Sequence, residues 1–251
     1  MECWIERAQQ PKQLLFVWQP PVQVRDRSRW AVGRLSADAE RTTFAYLEEK
    51  EFQELNLRRS EEQLRADSFS GYPAFDRMRQ PREGFWTDAL QTFLRRVPSH
   101  RRSDFSAYLE HHRIKAGGTL SPLALLAVTE AQLPSDGFSL IDPLDSSAAA
   151  VDFVFEIAGF RHSMRPVVPF QQGQMLTLIP EPENSWDPSA IQVMAGGLRI
   201  GYVNRLQAAT ILQWLGTREV QCCIARLNGK QDSPRAYALA RVRPLLGAMA
   251  T

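Results

Sequence analysis

Two short apolar runs, Met175 to Ile179 and Ala190 to Val193, flank the polar segment Pro180-Glu181-Pro182-Glu183-Asn184-Ser185-Trp186-Asp187-Pro188-Ser189. Leu198-Arg199-Ile200-Gly201-Tyr202-Val203-Asn204-Arg205 follows soon after. Apolar runs this short, bounded by Pro, Asn and Asp, read as strands, and the loop between them then stands exposed at one end of a small sheet, where binding sites are built. The alternation continues on both sides. Phe153, Phe155 and Ile157 have period two, as do Met175 and Thr177 against Leu176 and Leu178, and Ala236, Ala238 and Ala240 against Tyr237, Leu239 and Arg241. About five or six strands with one helix, Arg205 to Leu215, describe a barrel of OB-like or SH3-like size.

The N-terminal half has a different texture. Gln13 to Trp18, Trp30 to Leu35 and Thr42 to Tyr46 are apolar runs separated by turns, which favours a small antiparallel sheet. Helical spacing follows: Trp86, Leu90, Phe93, Leu94 and Val97 share a face up to Pro98, Ser103 is a candidate N-cap for a helix carrying Phe105, Tyr108 and Leu109, and Ser121-Pro122 opens a helix through Ala131. The aromatic stretch Phe69 to Asp76 reads as a loop packed onto the domain. Turn formers cluster at Pro134 to Gly137 and at Asp142 to Ala150, placing a linker at about residues 140 to 150. The expected fold class is α+β: an N-terminal mixed α/β domain, residues 1–140, followed by a β-barrel domain, residues 150–251.

Composition bounds the function. At 251 residues and 44% hydrophobic content the chain can bury the cores of two domains. Lys+Arg 30 against Asp+Glu 28 excludes a histone-like polycation, so nucleic-acid affinity has to be local. Four of the basic residues are lysine (Lys12, Lys50, Lys115 and Lys230), leaving 30 − 4 = 26 arginines, a bias that genomic GC content also explains. Cys3, Cys222 and Cys223 lack the Cys-x-x-Cys spacing of a tetrahedral metal site and read as reduced, mostly buried thiols. The N-terminal residues show no secretory leader and no window reaches a membrane-spanning length, so a cytoplasmic protein is expected.

The barrel region, with Phe155-Glu156-Ile157-Ala158-Gly159-Phe160-Arg161-His162, the Asn184/Trp186/Asp187 loop and Ile200-Gly201-Tyr202-Val203, closely resembles the HIRAN domain. The resemblance implies a compact β-barrel with a short helical insertion that binds DNA ends. It implies contact with the terminal nucleotide and its phosphate through Arg161 and His162, and a pocket for the 3′ end lined by Asn184 and Asp187. The residues themselves fit such roles. The acceptor-only carboxylate of Asp187 suits a hydroxyl donor and repels a phosphate, the indole of Trp186 offers a platform for any base, Tyr202 can stack on a second base, and Asn204 and Arg205 stand at a helix start that suits a phosphate. Structural alternatives stand beside these: Asp187-Pro188 as an Asx turn, Trp186 as a plug in the barrel end, Tyr202 as core, and Arg161-His162 as an exposed turn without consequence. Residues 13 to 98 also resemble the N-terminal subdomain of HipA-type toxin kinases, although no kinase catalytic loop can be placed in the chain.

Weaker constellations remain. His111-His112 point in different directions on a helix and lack a third ligand, so no metal is expected. Arg95-Arg96 with His100-Arg101-Arg102 form the densest basic cluster, a candidate DNA-backbone or acidic-partner surface or else a solvated face. No phosphate loop, nucleophile elbow or nuclease carboxylate pair appears, so neither catalysis nor a cofactor is expected. The sequence points to a bacterial protein that binds single-stranded or frayed DNA ends, the free 3′-hydroxyl end in particular, in repair, mobile-element or phage-defence work, with an N-terminal domain for a protein partner. The alternatives are an interaction module related to HipA-type toxin-antitoxin systems and a DNA-processing enzyme with an unrecognised site.

Overall fold

A computed structural model of the protein describes residues 3–21, 23–24, 27–38, 40–115, 118, 120–133, 135–162, 169–230 and 233–245. The chain forms two compact units, each assembled from more than one segment. One comprises Gln10–Arg102 and Leu120–Pro143, the other Met1–Gln9, Ser103–Thr119 and Leu144–Thr251. The last passage between them, at Pro143 and Leu144, falls within the turn-rich stretch, while the first two segments of the second unit, Met1–Gln9 and Ser103–Thr119, belong to sequence that composition alone assigns to the N-terminal half.

The first unit is built on an antiparallel sheet. Strands β1 (Gln13–Trp18), β2 (Trp30–Ala37), β3 (Thr42–Tyr46), β4 (Trp86–Thr87) and β5 (Phe138–Ile141) lie in the order β4-β3-β2-β1-β5. Short helices α1 (Glu49–Leu55), α2 (Glu61–Ala66), α3 (Ala89–Leu94) and α5 (Pro122–Thr129) belong to the same unit, and α4 (Phe105–His111) lies in the other. The core is aromatic: Phe16 packs on Phe44, Tyr72, Phe93 and Phe138, with Phe75 stacked on Phe44. Gly33 is required beneath it, because a Cβ there would lie 2.8 Å from the Phe44 ring and 2.9 Å from the Ala45 carbonyl. The Phe69 to Asp76 loop does pack down, its Phe75 carbonyl accepting from the Tyr46 hydroxyl, which in turn accepts from the Tyr72 amide.

Three helix expectations need correction. Trp86 is not on a helix face but pairs with Phe44 in β4, since Asp88 adopts a left-handed conformation and the helix starts only at Ala89. The residue before α4 is Asp104 and not Ser103. Ser121 caps α5 as expected, accepting from the Ala124 amide, but the helix ends at Thr129 because Glu130 and Ala131 both take positive φ. β5 also occupies residues read as the approach to a linker. Of the turn cluster preceding it, Pro134 lies outside the described residues.

The second unit holds β6 (Val151–Glu156), β7 (Met175–Pro180), β8 (Ile191–Ala195), β9 (Leu198–Tyr202), α6 (Arg205–Thr217), β10 (Arg218–Lys230) and β11 (Ser233–Pro244). The sheet runs β6-β11-β10-β7-β8-β9, antiparallel throughout. It closes on itself where Ala158, just past β6, bridges Tyr202 at the end of β9, with N–H to O distances of 2.8 and 2.9 Å. Closure removes the open edges that a flat sheet exposes. The alternating residues read from the sequence fill this barrel: Phe153, Phe155, Ile157, Leu176, Ala236, Ala238 and Ala240 share one core with Ile211 and Trp214 of α6.

β6 is buried on both faces, which the alternation did not suggest. Asp152, 1% exposed, points out of the barrel and is covered by the N-terminal segment. Its Oδ2 accepts from the Glu6 and Arg7 amides at 2.8 and 3.1 Å, and Oδ1 meets Arg243 Nη2 at 2.6 Å. A buried carboxylate needs such partners to remain charged.

Candidate nucleic-acid interface

The loop after β7 is organised by one amide. Asn184 Oδ1 accepts from the backbone amides of Trp186 (3.0 Å) and Asp187 (3.1 Å), while its Nδ2 donates to Glu181 Oε2 at 2.8 Å. Asp187 Oδ1 accepts from the Ser189 amide at 2.8 Å, so the Asx-turn reading of Asp187 holds, and among the described residues no donor reaches its Oδ2. The turn leaves Trp186 without a place to pack. Its side chain is 86% exposed and does not plug the barrel.

Tyr202 connects this loop to the rest of the barrel end. Its backbone forms the closing bridge with Ala158, and its hydroxyl bonds to both Glu181 and Arg199, the latter at 2.9 Å. The Arg199 guanidinium also lies 5.3 Å from the Tyr202 ring centroid. Hydrogen bonding from Asn184 first, then from Gln192 and Tyr202, holds the Glu181 carboxyl below the usual carboxylate range. Desolvation, followed by the bond to Glu181, holds the Tyr202 phenol above its ordinary value. Tyr202 is half-buried and not part of the core.

Arg161 and His162 lie in a single 3-10 turn, Phe160–His162, that begins two residues after the closing bridge. Gly159 takes a φ of 78° at the turn, and the His162 amide donates back to its carbonyl at 2.8 Å. Both side chains are exposed, with Arg161 Nε donating to His162 Nε2 at 2.9 Å. The bridge therefore brings the Arg161–His162 turn, Tyr202 and, through Glu181, the Asn184–Trp186–Asp187 loop to one end of the barrel.

Asn204 requires correction. It is 6% exposed and acts as the N-cap of α6, its Oδ1 accepting from the Leu206 amide at 3.1 Å and its carbonyl from the Gln207 amide at 2.9 Å. A capping side chain is favoured at this position because the first helical amides have no partner within the helix. Asn204 thus shapes the site without facing it, and it occupies amides that were expected to be open to a phosphate beside Arg205. Arg205, the first residue of α6, is half-exposed.

Sequence reasoning missed Glu181, Gln192 and Arg199. Glu181 carried a signal, the i, i+3 spacing to Asn184 in a turn. The pairing of Arg199 with Tyr202 carried none, since residues three apart on a regular strand face opposite sides. The β8–β9 register shifts between Val193 and Met194, so that Gln192 opposes Tyr202 and Met194 opposes Arg199, and this bulge turns both side chains to one face.

Arg96 and His112, from the other basic and imidazole clusters, have structural roles. Arg96 is 6% exposed and forms a two-pronged pair with Asp136 at 2.6 and 2.9 Å, with further bonds to the Ala131 and Phe138 carbonyls, so the Arg95-Arg96 cluster does not present both arginines to a partner. His112 is buried against Arg226, whose Nη1 lies 2.9 Å from Nδ1. Among the described residues no three His, Cys, Asp or Glu side chains gather as a metal ion would need. No helix of the described residues is long and apolar enough to cross a membrane.

No curated protein matches this chain. The crystal structure of the HIRAN domain of human HLTF aligns over 38% of this chain and 80% of its own, at 16% identity and a TM-score of 0.31. A protein from Lactobacillus plantarum aligns over 38% and 98%, at 19% identity and a TM-score of 0.30. The HipA-type resemblance of residues 13 to 98 finds no support. The HIRAN domain family model matches residues 151–239, which contain all eight expected contact residues, and this part of the chain is a HIRAN domain, a DNA-binding module.

Proposed function

We propose that the barrel end holding Arg161, His162, Trp186, Asp187, Tyr202 and Arg205 binds the free 3′-hydroxyl end of single-stranded or frayed DNA. The observation that carries this reading is the convergence on Tyr202, which links the three sequence-distant segments that bear these side chains. Trp186 presents its indole to solvent, as a sequence-tolerant stacking platform requires, at about 1–3 kcal/mol per stacked base. Asp187 keeps one carboxylate oxygen for a hydroxyl donor and repels a terminal phosphate. Arg161 and Arg205 supply positive charge for the strand, and such contacts position it without reading sequence. The site performs recognition, and the reading assigns it no bond-breaking step.

The test is fluorescence polarisation of the full chain with single strands ending in 3′-hydroxyl or 3′-phosphate. The hydroxyl strand is expected to bind about 10- to 100-fold more tightly, the range of one hydrogen bond to a charged group. Asp187→Asn preserves the acceptor for the Ser189 amide and should erase most of that difference. Equal affinity of the parent for both strands would remove the 3′-end assignment.

A further inference from the structure

Cys3 and Cys223 are remote in sequence, yet their Sγ atoms lie 3.0 Å apart. Both are buried, at 7% and 0% exposure. Ordinary nonbonded contact is about 3.5–4.0 Å even between the smaller carbons, and a disulfide bond is about 2.05 Å. The two sulfurs are therefore already inside nonbonded contact.

The surrounding structure builds this encounter. Alternation along β10 turns Cys222 into the barrel core and its neighbour Cys223 to the opposite face. The N-terminal segment is laid across that face by several independent ties: Asp152 accepts from the Glu6 and Arg7 amides, Arg241 Nη2 donates to the Trp4 carbonyl at 2.9 Å, and Ile5 bridges Ile114. Cys3 Sγ also reaches the Ile224 carbonyl at 3.7 Å.

We propose that Cys3 and Cys223 form a redox modification site, oxidised by a peroxide to a reversible disulfide that staples the N-terminal segment to β10. Burial, then the contact with Cys3, pushes the Cys223 thiol up to about 12, so Cys223 stays protonated and Cys3, the more accessible of the two, reacts first. The Cys3 thiolate attacks one oxygen of hydrogen peroxide; the O–O bond breaks and hydroxide leaves, giving a sulfenic acid. Cys223 sulfur then attacks the sulfenic sulfur, the S–S bond forms, the S–O bond breaks, and the departing oxygen leaves as water with the Cys223 proton. The two thiols lose two electrons and two protons, and the peroxide becomes two waters.

The full chain is reduced, treated stepwise with hydrogen peroxide, and alkylated after denaturation. The expected product is about 2 Da lighter before alkylation, as loss of two hydrogens requires. It should carry one alkylated cysteine, Cys222, and yield a Cys3–Cys223 linked peptide that a reductant separates. Cys222→Ser should give the same link. Cys3→Ser, outside the barrel core, should give none while retaining the parent circular dichroism. Alkylation of both Cys3 and Cys223 after oxidation, or a link formed through Cys222, would overturn the proposal.

Discussion

Ala158 and Tyr202 exchange two backbone hydrogen bonds, of 2.8 and 2.9 Å, and so join the end of β6 to the end of β9. That bridge is the barrel's closure and also the frame of its candidate binding end. Beyond Ala158 the chain turns through Gly159 into Arg161 and His162, and beyond Tyr202 it reaches Arg205 at the start of α6. Stability of the closure and placement of the site are thereby one structural problem.

Gly201 makes the closure possible. A Cβ at this position would lie 2.4 Å from the Ala158 carbonyl oxygen and 2.6 Å from Ile157 Cγ2, so Gly201→Val forces the two strands apart. Overpacking of this kind costs about 1–3 kcal/mol. Chemical denaturation should show that loss, together with weaker DNA-end binding. Parent-like stability would mean that the bridge contributes little to closure.

Trp186 separates binding from folding. Because its side chain is 86% exposed, Trp186→Ala should change stability by no more than about 0.5 kcal/mol. Affinity for single strands should fall by about 5- to 100-fold, corresponding to one lost stack. An unchanged affinity at unchanged stability would leave the indole with no role in the interface.

Glu181 is a positioning residue in this reading. It holds Asn184 Nδ2 at 2.8 Å and bonds to Tyr202, so it fixes the turn that displays Trp186 and Asp187. Glu181→Ala should weaken 3′-hydroxyl recognition about tenfold, and Glu181→Gln, which retains an acceptor for the Asn184 amide, should restore most of it. Equal losses in the two variants would indicate that the charge, and not the turn, is what matters.

His112 provides a pH signature. Burial, then Arg226 and His111, lowers its pKa from the ordinary 6.5 to about 2. A depressed folded-state value means that the unfolded chain takes up the proton first, so the stability is fully present above about pH 6.5 and declines as pH falls toward the folded value. The stability advantage of the parent over His112→Gln should shrink steadily from pH 7.5 to pH 4.5 in denaturant titrations. A constant difference across that range would show that His112 ionises in the folded protein at little cost.

The barrel was largely legible because its strands alternate: Phe153 and Phe155 on β6, Ile157 just past it, and Ala236, Ala238 and Ala240 on β11 all reached the core that period two assigns them. The loop of Asn184, Trp186 and Asp187 was legible through its turn chemistry. Other features depend on contacts that no local pattern encodes. Trp86 joined a strand because Phe44 lay opposite it, the β9 bulge rotated Arg199 beside Tyr202, and Asn204 was claimed by the amides of its own helix. The segments Met1–Gln9 and Ser103–Thr119 entered the barrel unit for the same reason, through pairing such as Ile5 with Ile114 and Asp152 with the Glu6 amide.

Arg96 and Arg205 look alike in sequence, each a basic residue at the edge of a helix, and should fail in opposite ways. Arg96 is buried and donates to Asp136, Ala131 and Phe138, so Arg96→Met leaves one carboxylate and two carbonyls without their donor. Breaking a buried pair costs about 3–5 kcal/mol, with the lower end expected here because the Asp136 side chain is 29% exposed and can rehydrate. DNA affinity of the folded fraction should be unchanged. Arg205→Ala should instead reduce affinity for all sequences alike and flatten its salt dependence by about one counterion, with a small effect on stability. If Arg96→Met lowered the salt slope as well, the first unit would hold a second DNA surface and the barrel end would not be the whole interface.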